Sequence, residues 1–425
     1  MKALIITYYW PPSGGPGVQR WLKFVKYLPQ YDVQPVVLTV DPDSAEYPVV
    51  DASLEDDVSD GLEIYRTRSS GVYGWYKKLT GTKTAPYSGF ANEGNPGRLQ
   101  KFARFIRGNF FLPDARRGWQ KYAFAEACRL IEKYSIRVVI TTGPPHSTHL
   151  TGLKIKKKYN IRWIADFRDP WSNIQYKSFL YQTRWAQNAD LKSERSVLEH
   201  CDSVLMAVDE RKRFAEIHPH IGNEKMFFMP NGYDESDFEE MKFDTPHEFV
   251  ITYTGTIAEN YPTDGFIRAL MMVKKQIPFE MQFVGQTDER TRTSFQRELS
   301  RYTTFRDHVS HRESVEYLMR ASVLLLVNAN VEGSESLLHG KIFEYLASGK
   351  PVLMLGAVDG KSAQLIQSAN VGKAFDYHDV YGIANYLSRL YQNQVNGIRP
   401  YPDWKVIRQY SRKQLTQRLA TMIVS

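Results

Sequence analysis

Two trains of short apolar runs, each run followed by a longer stretch of helical spacing, constrain this chain more than anything else in it. The first train reads "KALIITY", "PVVLTV", "VVITT", "RWIADF", "SVLMAV" and "KMFFMP"; the second starts at "FVITYTG" and continues through "EMQFVG", "SVLLLV", "PVLML" and "GKAFDY". Strands joined by helical crossovers lie parallel and are covered by helices on both faces, so they read as continuous apolar runs. The predicted class is α/β, with two doubly wound, Rossmann-like domains facing one another across a cleft. Length agrees, since 425 residues exceed what one hydrophobic core serves. Between the trains, "MPNGYDESDFEEMKFDTPHE" is polar and turn-rich, which puts a hinge at residues 230–246. The expected division is 1–232, 233–403 and a closing segment 404–425. That segment, "WKVIRQYSRKQLTQRLATMIV", has helical spacing, needs a surface to dock on, and is predicted to cross back to the first domain.

Composition excludes more than it selects. A chain 42% hydrophobic and 24% charged, without low-complexity tracts, is an ordinary soluble globular protein, neither disordered nor fibrous. Runs such as "VLLLV" are too short to span a bilayer, and the first residues meet Pro11-Pro12 without a signal-peptide cleavage pattern, so a cytoplasmic location is expected. Cys128 and Cys201 have no metal-ligand partners at diagnostic spacing; neither a disulfide nor a metal site is expected. A net charge of +8 and a pI near 9.1 favour anionic partners. Residues 98–121, "RLQKFARFIRGNFFLPDARRGWQK", interleave Lys101, Arg104, Arg107, Arg116 and Arg117 with Phe102, Phe105, Phe110, Phe111 and Trp119. This suits either peripheral contact with an anionic membrane, at its inner face, or a core-facing helix with solvated cations. No nucleic-acid-binding signature accompanies it, and no nucleic acid partner is expected.

In open parallel sheets, ligands bind outside the carboxyl ends of the strands, so the loops there are the places to look. The first is "YYWPPSGGPGVQRW": Gly14, Gly15 and Gly17 let the backbone approach a ligand, and the helix that follows offers unpaired N–H groups. Gly15 and Gly17 begin a dinucleotide-binding G-x-G-x-x-G, with Asp41 where a ribose carboxylate would stand, but Arg20 replaces the third glycine and is predicted to disturb close helix–strand packing. The loop "TTGPPHSTH" supplies His146, and "DFRDPW" supplies Arg168 and Asp169. His146 either orients a substrate or caps a helix; Asp169 either orients a substrate or pairs with Arg168. In the second train, Gly255-Thr256 begins a loop after a strand, and Gly285-Gln286 and Arg312 of "VSHRES" stand at strand ends where a nucleobase can be read or a solvated turn can sit.

The most specific block is "NANVEGSESLLHGKIFEYLASGKPVLML", residues 328–355: polar loop, helix, turn, strand. Small residues ahead of the helix, among them Ser334 and Ser336 beside Glu335, leave N–H donors free, while His339 and Lys341 next to Gly340 can pair with phosphate. Glu344, three residues beyond Lys341 on the same helical face, either forms an ion pair with it or accepts from ribose hydroxyls.

With "MPNGYD", "ITYTG", "FVG" and "RASVLLLVNAN", the block "GKIFEYLASGKPVL" resembles the donor half of retaining GT-B glycosyltransferases of the family 4 group; "IADFRDPW" and "PPSGGPGVQRWLKF" resemble its acceptor half. The resemblance covers nearly all of the chain. It implies an enzyme using a nucleotide-activated sugar, without a metal or cofactor for catalysis, to build polysaccharides, lipid-linked sugars or glycosides. By it, Glu344 holds the donor ribose, residues 334–340 its phosphates or sugar hydroxyls, and Gly14-Gly15 the acceptor or donor phosphate. The sequence departs from the family pattern at two places: Ser336 stands where the first glutamate of the usual pair would, with Glu335 beside it, and Gly255-Thr256 replaces the usual Gly-Arg. Lys341, His339 or Arg268 can supply the missing cation, with Lys341 favoured.

The resulting expectation is a hexosyltransferase-type enzyme taking a UDP- or GDP-linked sugar to a glycan or lipid-linked acceptor in cell-surface polysaccharide synthesis, with Lys341, His146 and Asp169 as its catalytic set. The alternatives are a sugar-nucleotide epimerase of the same architecture, a non-catalytic sugar-nucleotide-binding module, and a nicotinamide dehydrogenase, which Arg20 opposes.

Overall fold

Both trains form all-parallel sheets in a computed structural model that describes residues 1–70, 97–172, 175–209, 211–239, 248–307, 309–331, 333–336 and 338–425. The described residues fall into two units, Met1–Pro230 with Thr416–Ser425, and Asn231–Leu415. Part of the predicted hinge, residues 240–246, lies outside the described residues.

In the first unit, β1 (Lys2–Ile6), β2 (Gln34–Val40), β3 (Glu63–Thr67), β4 (Val138–Gly143), β5 (Arg162–Phe167), β6 (Ser203–Met206) and β7 (Met226–Phe228) make a seven-stranded sheet in the order β3-β2-β1-β4-β5-β6-β7. In the second, β8 (Phe249–Thr254), β9 (Phe279–Val284), β10 (Thr303–Arg306), β11 (Val323–Val327), β12 (Val352–Leu355) and β13 (Gly372–Phe375) make a six-stranded sheet in the order β10-β9-β8-β11-β12-β13. Each sheet is therefore doubly wound, reversing direction between β1 and β4 and between β8 and β11. Crossovers leave those two reversal points from opposite faces, so each opens a crevice at the carboxyl ends of its strands.

Most central strands are buried on both faces, as their apolar runs require. Leu325 of β11 joins Ile251, Phe283 and Leu353 in one core, while its neighbours Leu324 and Leu326 join Ile342, Leu346 and Met354 in another. Each leucine so enclosed contributes about 2 kcal/mol relative to exposure. Two strands escape the apolar pattern, β3 "EIYRT" and β10 "TTFR". Both are edge strands, partly exposed along their length, and so carry polar residues where central strands carry Val and Leu.

Arg20 does not disturb the packing of its helix, Pro16–Tyr27. Its guanidinium, fully buried, lies 2.8 Å from Asp166 Oδ1 on β5 and donates to the Met229 and Pro230 carbonyls at 2.7 and 3.0 Å. Asp166 also accepts from Trp21 Nε1 at 2.6 Å and Thr142 Oγ1 at 2.9 Å. Helix and sheet are thus joined through charge at a point where glycine would join them by contact. Asp41, the ribose carboxylate of the dehydrogenase reading, accepts from the Asp43 amide at the start of the turn Pro42–Ser44.

The basic and aromatic stretch is not one element. It forms a helix Arg98–Phe110, a turn Ala115–Trp119 and the start of a helix Gln120–Tyr134. Arg104, Arg116 and Trp119 are buried, the last two bonded to the Glu46 carbonyl and Thr67 Oγ1, whereas Lys101, Phe102, Phe105, Phe110 and Arg117 are exposed. The final helix, Arg412–Val424, starts in the second unit, and Thr416–Ser425 belongs to the first, with Leu419, Ala420 and Ile423 buried. Among the described residues, no helix is long and apolar enough to cross a membrane, and no cluster of His, Cys, Asp and Glu could hold a metal. Cys128 and Cys201 are buried free thiols.

Candidate functional site

In the second unit Gly255, Gly285 and Lys341 meet beside the reversal point between β8 and β11, whereas the turn Ser334–Ser336 packs against Gly360. β8 is followed directly by Gly255 and β9 by Gly285, both with positive φ, 97° and 121°. A β-carbon on Gly285 would lie 2.5 Å from the Gly255 carbonyl oxygen, so the two strand ends meet only as glycines. One on Gly255 would lie 3.1 Å from Lys341 Nζ, which puts that ammonium over the end of β8. Lys341 donates to Tyr253 Oη at 2.7 Å, and Tyr253 donates in turn to the Thr256 carbonyl at 2.7 Å.

The helix Gly340–Ser348 that carries Lys341 starts without a side-chain cap, because its N-cap residue is His339. Its first N–H groups and the positive end of its dipole are thereby open to an anion. His339 Nε2 is buried without a hydrogen-bond partner among the described residues; burial, with Lys341 nearby, lowers its pKa to about 4, so the ring stays neutral. Ser334, Glu335 and Ser336 form a single turn ahead of this helix, and residues 332 and 337 of the same loop lie outside the described residues.

Burial pulls the Lys341 ammonium from its ordinary value of 10.5 down to about 7, against the pull of Glu344. Glu344 itself does not pair with Lys341. Its Oε1 lies 3.2 Å from His311 Nε2, whose other nitrogen stands 3.9 Å from Asp237 Oδ2. Burial would raise the Glu344 carboxyl, but His311, Arg412 and Lys341 outweigh it and hold the group ionised below the usual range. Burial also opposes charge on His311, and Glu344 and Asp237 override it to raise its pKa. Arg312, the residue singled out in "VSHRES", is exposed, as is Gln286. Sequence reasoning missed His311, whose signal is its place as first residue of the helix His311–Arg320, inside the capping box formed by Ser310 and Glu313. It also missed Tyr253, which reads as one more core aromatic of β8.

In the first unit, the loops after β1, β4 and β5 are tied together by Arg168. It donates to the carbonyls of Gly17 at 2.5 Å, Gly143 at 3.3 Å and Pro144. It does so instead of pairing with Asp169, which is exposed and makes no hydrogen bond or ion pair among the described residues. Gly15 has φ 100° and starts the helix Pro16–Tyr27, while the Gly14 amide donates to the Val49 carbonyl. His146 precedes the helix Ser147–Lys158 without capping it through its side chain. Its ring is buried and stacked on Trp171, 5.0 Å between centroids at 8°, and burial, then His149, lower its pKa well below the usual value. His149 bonds Thr141 Oγ1 at 2.8 Å.

Two doubly wound domains of seven and six parallel strands, with sites at the carboxyl strand ends, define the GT-B fold. Solved structures agree: the chain superposes on a glycosyltransferase from Rickettsia africae ESF-5 at TM-score 0.61 and 13% identity, covering 100% of this chain and 98% of that one. It superposes on Anabaena Alr3699/HepE in complex with UDP and glucose at TM-score 0.60 and 13% identity, and on WaaG, a glycosyltransferase involved in lipopolysaccharide biosynthesis, at 0.56 and 14%, each over 100% of both chains. Within the fold, residues 248–393 match the family model described as Glycosyl transferases group 1. No curated protein matches the sequence.

Proposed function

We propose that this chain transfers a hexosyl group, with retention, from a UDP- or GDP-linked sugar to a hydroxyl of a lipid-linked or polysaccharide intermediate in cell-surface glycan synthesis, with no metal or further cofactor. One observation carries the reading: the uncapped start of the helix Gly340–Ser348, the Lys341 ammonium over Gly255 and the ionised Glu344 stand together at the reversal point of one sheet. Cation and free N–H groups suit a diphosphate, and a carboxylate beside them suits the ribose hydroxyls. The group 1 domain spans these residues, and the Anabaena structure holds UDP and glucose.

As the bond from the anomeric carbon to the phosphate oxygen breaks, negative charge collects on the leaving diphosphate. Lys341 and the helix N–H groups stabilise that charge, and a donor so placed is worth on the order of 3 kcal/mol of barrier. The acceptor oxygen forms the new bond on the same face, and its proton passes to the departing phosphate oxygen. Thr256, Gly285, Gln286 and Arg312 are assigned to the nucleoside, residues 334–336, His339 and Gly340 to the sugar and phosphates, and Gly14, Gly15, Gly17, His146, Arg168 and Asp169 to the acceptor side.

A cytoplasmic enzyme seated on the inner face of a membrane fits the exposed Phe102, Phe105 and Phe110 on a helix that carries cations and no carboxylate. Ser336, in place of the family's first glutamate, favours the non-catalytic module as the second reading. Product analysis with the nucleotide sugars selected by thermal shift decides: a new glycoside supports transfer, an isomerised donor indicates an epimerase, and binding without turnover indicates the module.

A further inference from the structure

Lys341 and Glu344 stand three residues apart on one helix, a spacing at which opposite charges ordinarily pair. Here each is held by a different neighbour. Lys341 bonds Tyr253 Oη at 2.7 Å and lies 4.1 Å from the centre of its ring, while Glu344 is held by His311 at 3.2 Å. We propose that His311 is a positioning residue for donor binding: by keeping Glu344 on its own side it leaves Lys341 free of a carboxylate partner to meet a nucleoside diphosphate, and it turns the second Glu344 oxygen toward the ribose hydroxyls. This rests on the donor-site reading above.

The surroundings of His311 are built for the task. Its helix start is fixed by reciprocal bonds, the Ser310 amide donating to Glu313 Oε2 at 2.9 Å and the Glu313 amide to Ser310 Oγ at 3.3 Å. The charged groups facing the ring are Glu344 and Asp237, with Arg412 opposing them. A cation at the first turn of a helix works against the dipole. The two carboxylates offset that cost, and the raised pKa of His311 follows. Without the imidazole, Glu344 is left with two cations, Arg412 and, on its own helix face, Lys341, and pairing with Lys341 would neutralise both halves of the donor site.

The experiment compares His311→Leu and His311→Gln with the wild type, by calorimetric titration with UDP and with GDP across pH 6 to 9, with Lys341→Met and Glu344→Gln as references. In His311→Leu the nucleotide Kd is expected to rise about tenfold, as for loss of one charge-assisted bond. The pH at which affinity begins to fall, near 7 in the wild type, moves up by a unit or more as Glu344 turns to Lys341. The glutamine, which donates to Glu344 without charge, recovers most of the affinity. Wild-type affinity and an unmoved pH break in a folded His311→Leu protein overturn the proposal, as do equal losses in both variants with the break unmoved. If Lys341→Met and Glu344→Gln also leave nucleotide binding unchanged, the donor-site reading falls and the proposal with it; if those two weaken binding and His311→Leu does not, only the proposal falls.

Discussion

A lysine held at a pKa of about 7 costs the folded protein stability, and removing its charge should return it. The sign follows from linkage. In the unfolded chain Lys341 keeps its proton until pH 10.5, whereas in the folded chain it gives it up near 7. Between those values the unfolded state binds more protons, so stability rises with pH across the window. Integrated from pH 6.5 to 9, the gain is about 2.5 kcal/mol at 1.36 kcal/mol per pKa unit. Lys341→Met keeps the length of the side chain and has no proton to lose. The variant is therefore expected to be more stable than the wild type at pH 6.5, with the advantage shrinking by about 2.5 kcal/mol as pH reaches 9. Urea unfolding of both proteins at several pH values measures this, taking the difference in midpoints at equal slope so that other titrating groups cancel. The same substitution removes a transition-state donor and should lower kcat a few hundredfold. A stability difference that stays constant from pH 6.5 to 9 would show that Lys341 titrates normally and would refute the argument.

Glu344→Gln leaves the side chain in place but removes the charge that His311 and a ribose diol would share; nucleotide affinity should fall about tenfold by calorimetry, and an unchanged Kd would remove the ribose role. Arg20→Met strands the buried Asp166 carboxylate and should cost the first unit about 3 to 5 kcal/mol in denaturant unfolding, with Arg20→Met/Asp166→Asn recovering much of it; loss below 1 kcal/mol in the single variant would contradict a buried pair. Phe102→Ser/Phe105→Ser should weaken sedimentation with anionic vesicles, and wild-type binding should fade as salt rises; equal binding to neutral vesicles would reject a membrane seat.

How legible these features were in the sequence depended on how local their causes are. Strands such as β1 and β11, apolar from end to end because both faces are buried, announce themselves in a few letters. The edge strands β3 and β10 do not, since half-exposure mixes Arg and Thr into them and leaves no run to notice. Arg20 reads as an obstacle because its partner, Asp166, lies 146 positions away and nothing near Arg20 signals a carboxylate waiting for it. The Lys341–Glu344 spacing leaves an ion pair open on helix geometry alone, and that alternative is not taken because Tyr253 and His311, from other elements, divide the two. The basic stretch at 98–121 reads as one surface only because spacing cannot show that the chain turns after Phe110 and buries Arg116 and Trp119.

The closing helix bears on the order in which this protein matures. Thr416–Ser425 completes the first unit, where Arg418 donates to the Phe228 carbonyl at 3.3 Å and Arg162 to Ser425 Oγ at 3.4 Å. On the ribosome, residues 1–230 emerge ahead of the second unit and can collapse around their sheet, yet the surface that will receive Leu419 and Ile423 stays open until all of the second unit has been made. Through most of synthesis the first domain is thus an unfinished shell with an apolar gap, which a chaperone must shield or the nascent chain must tolerate until its last helix arrives.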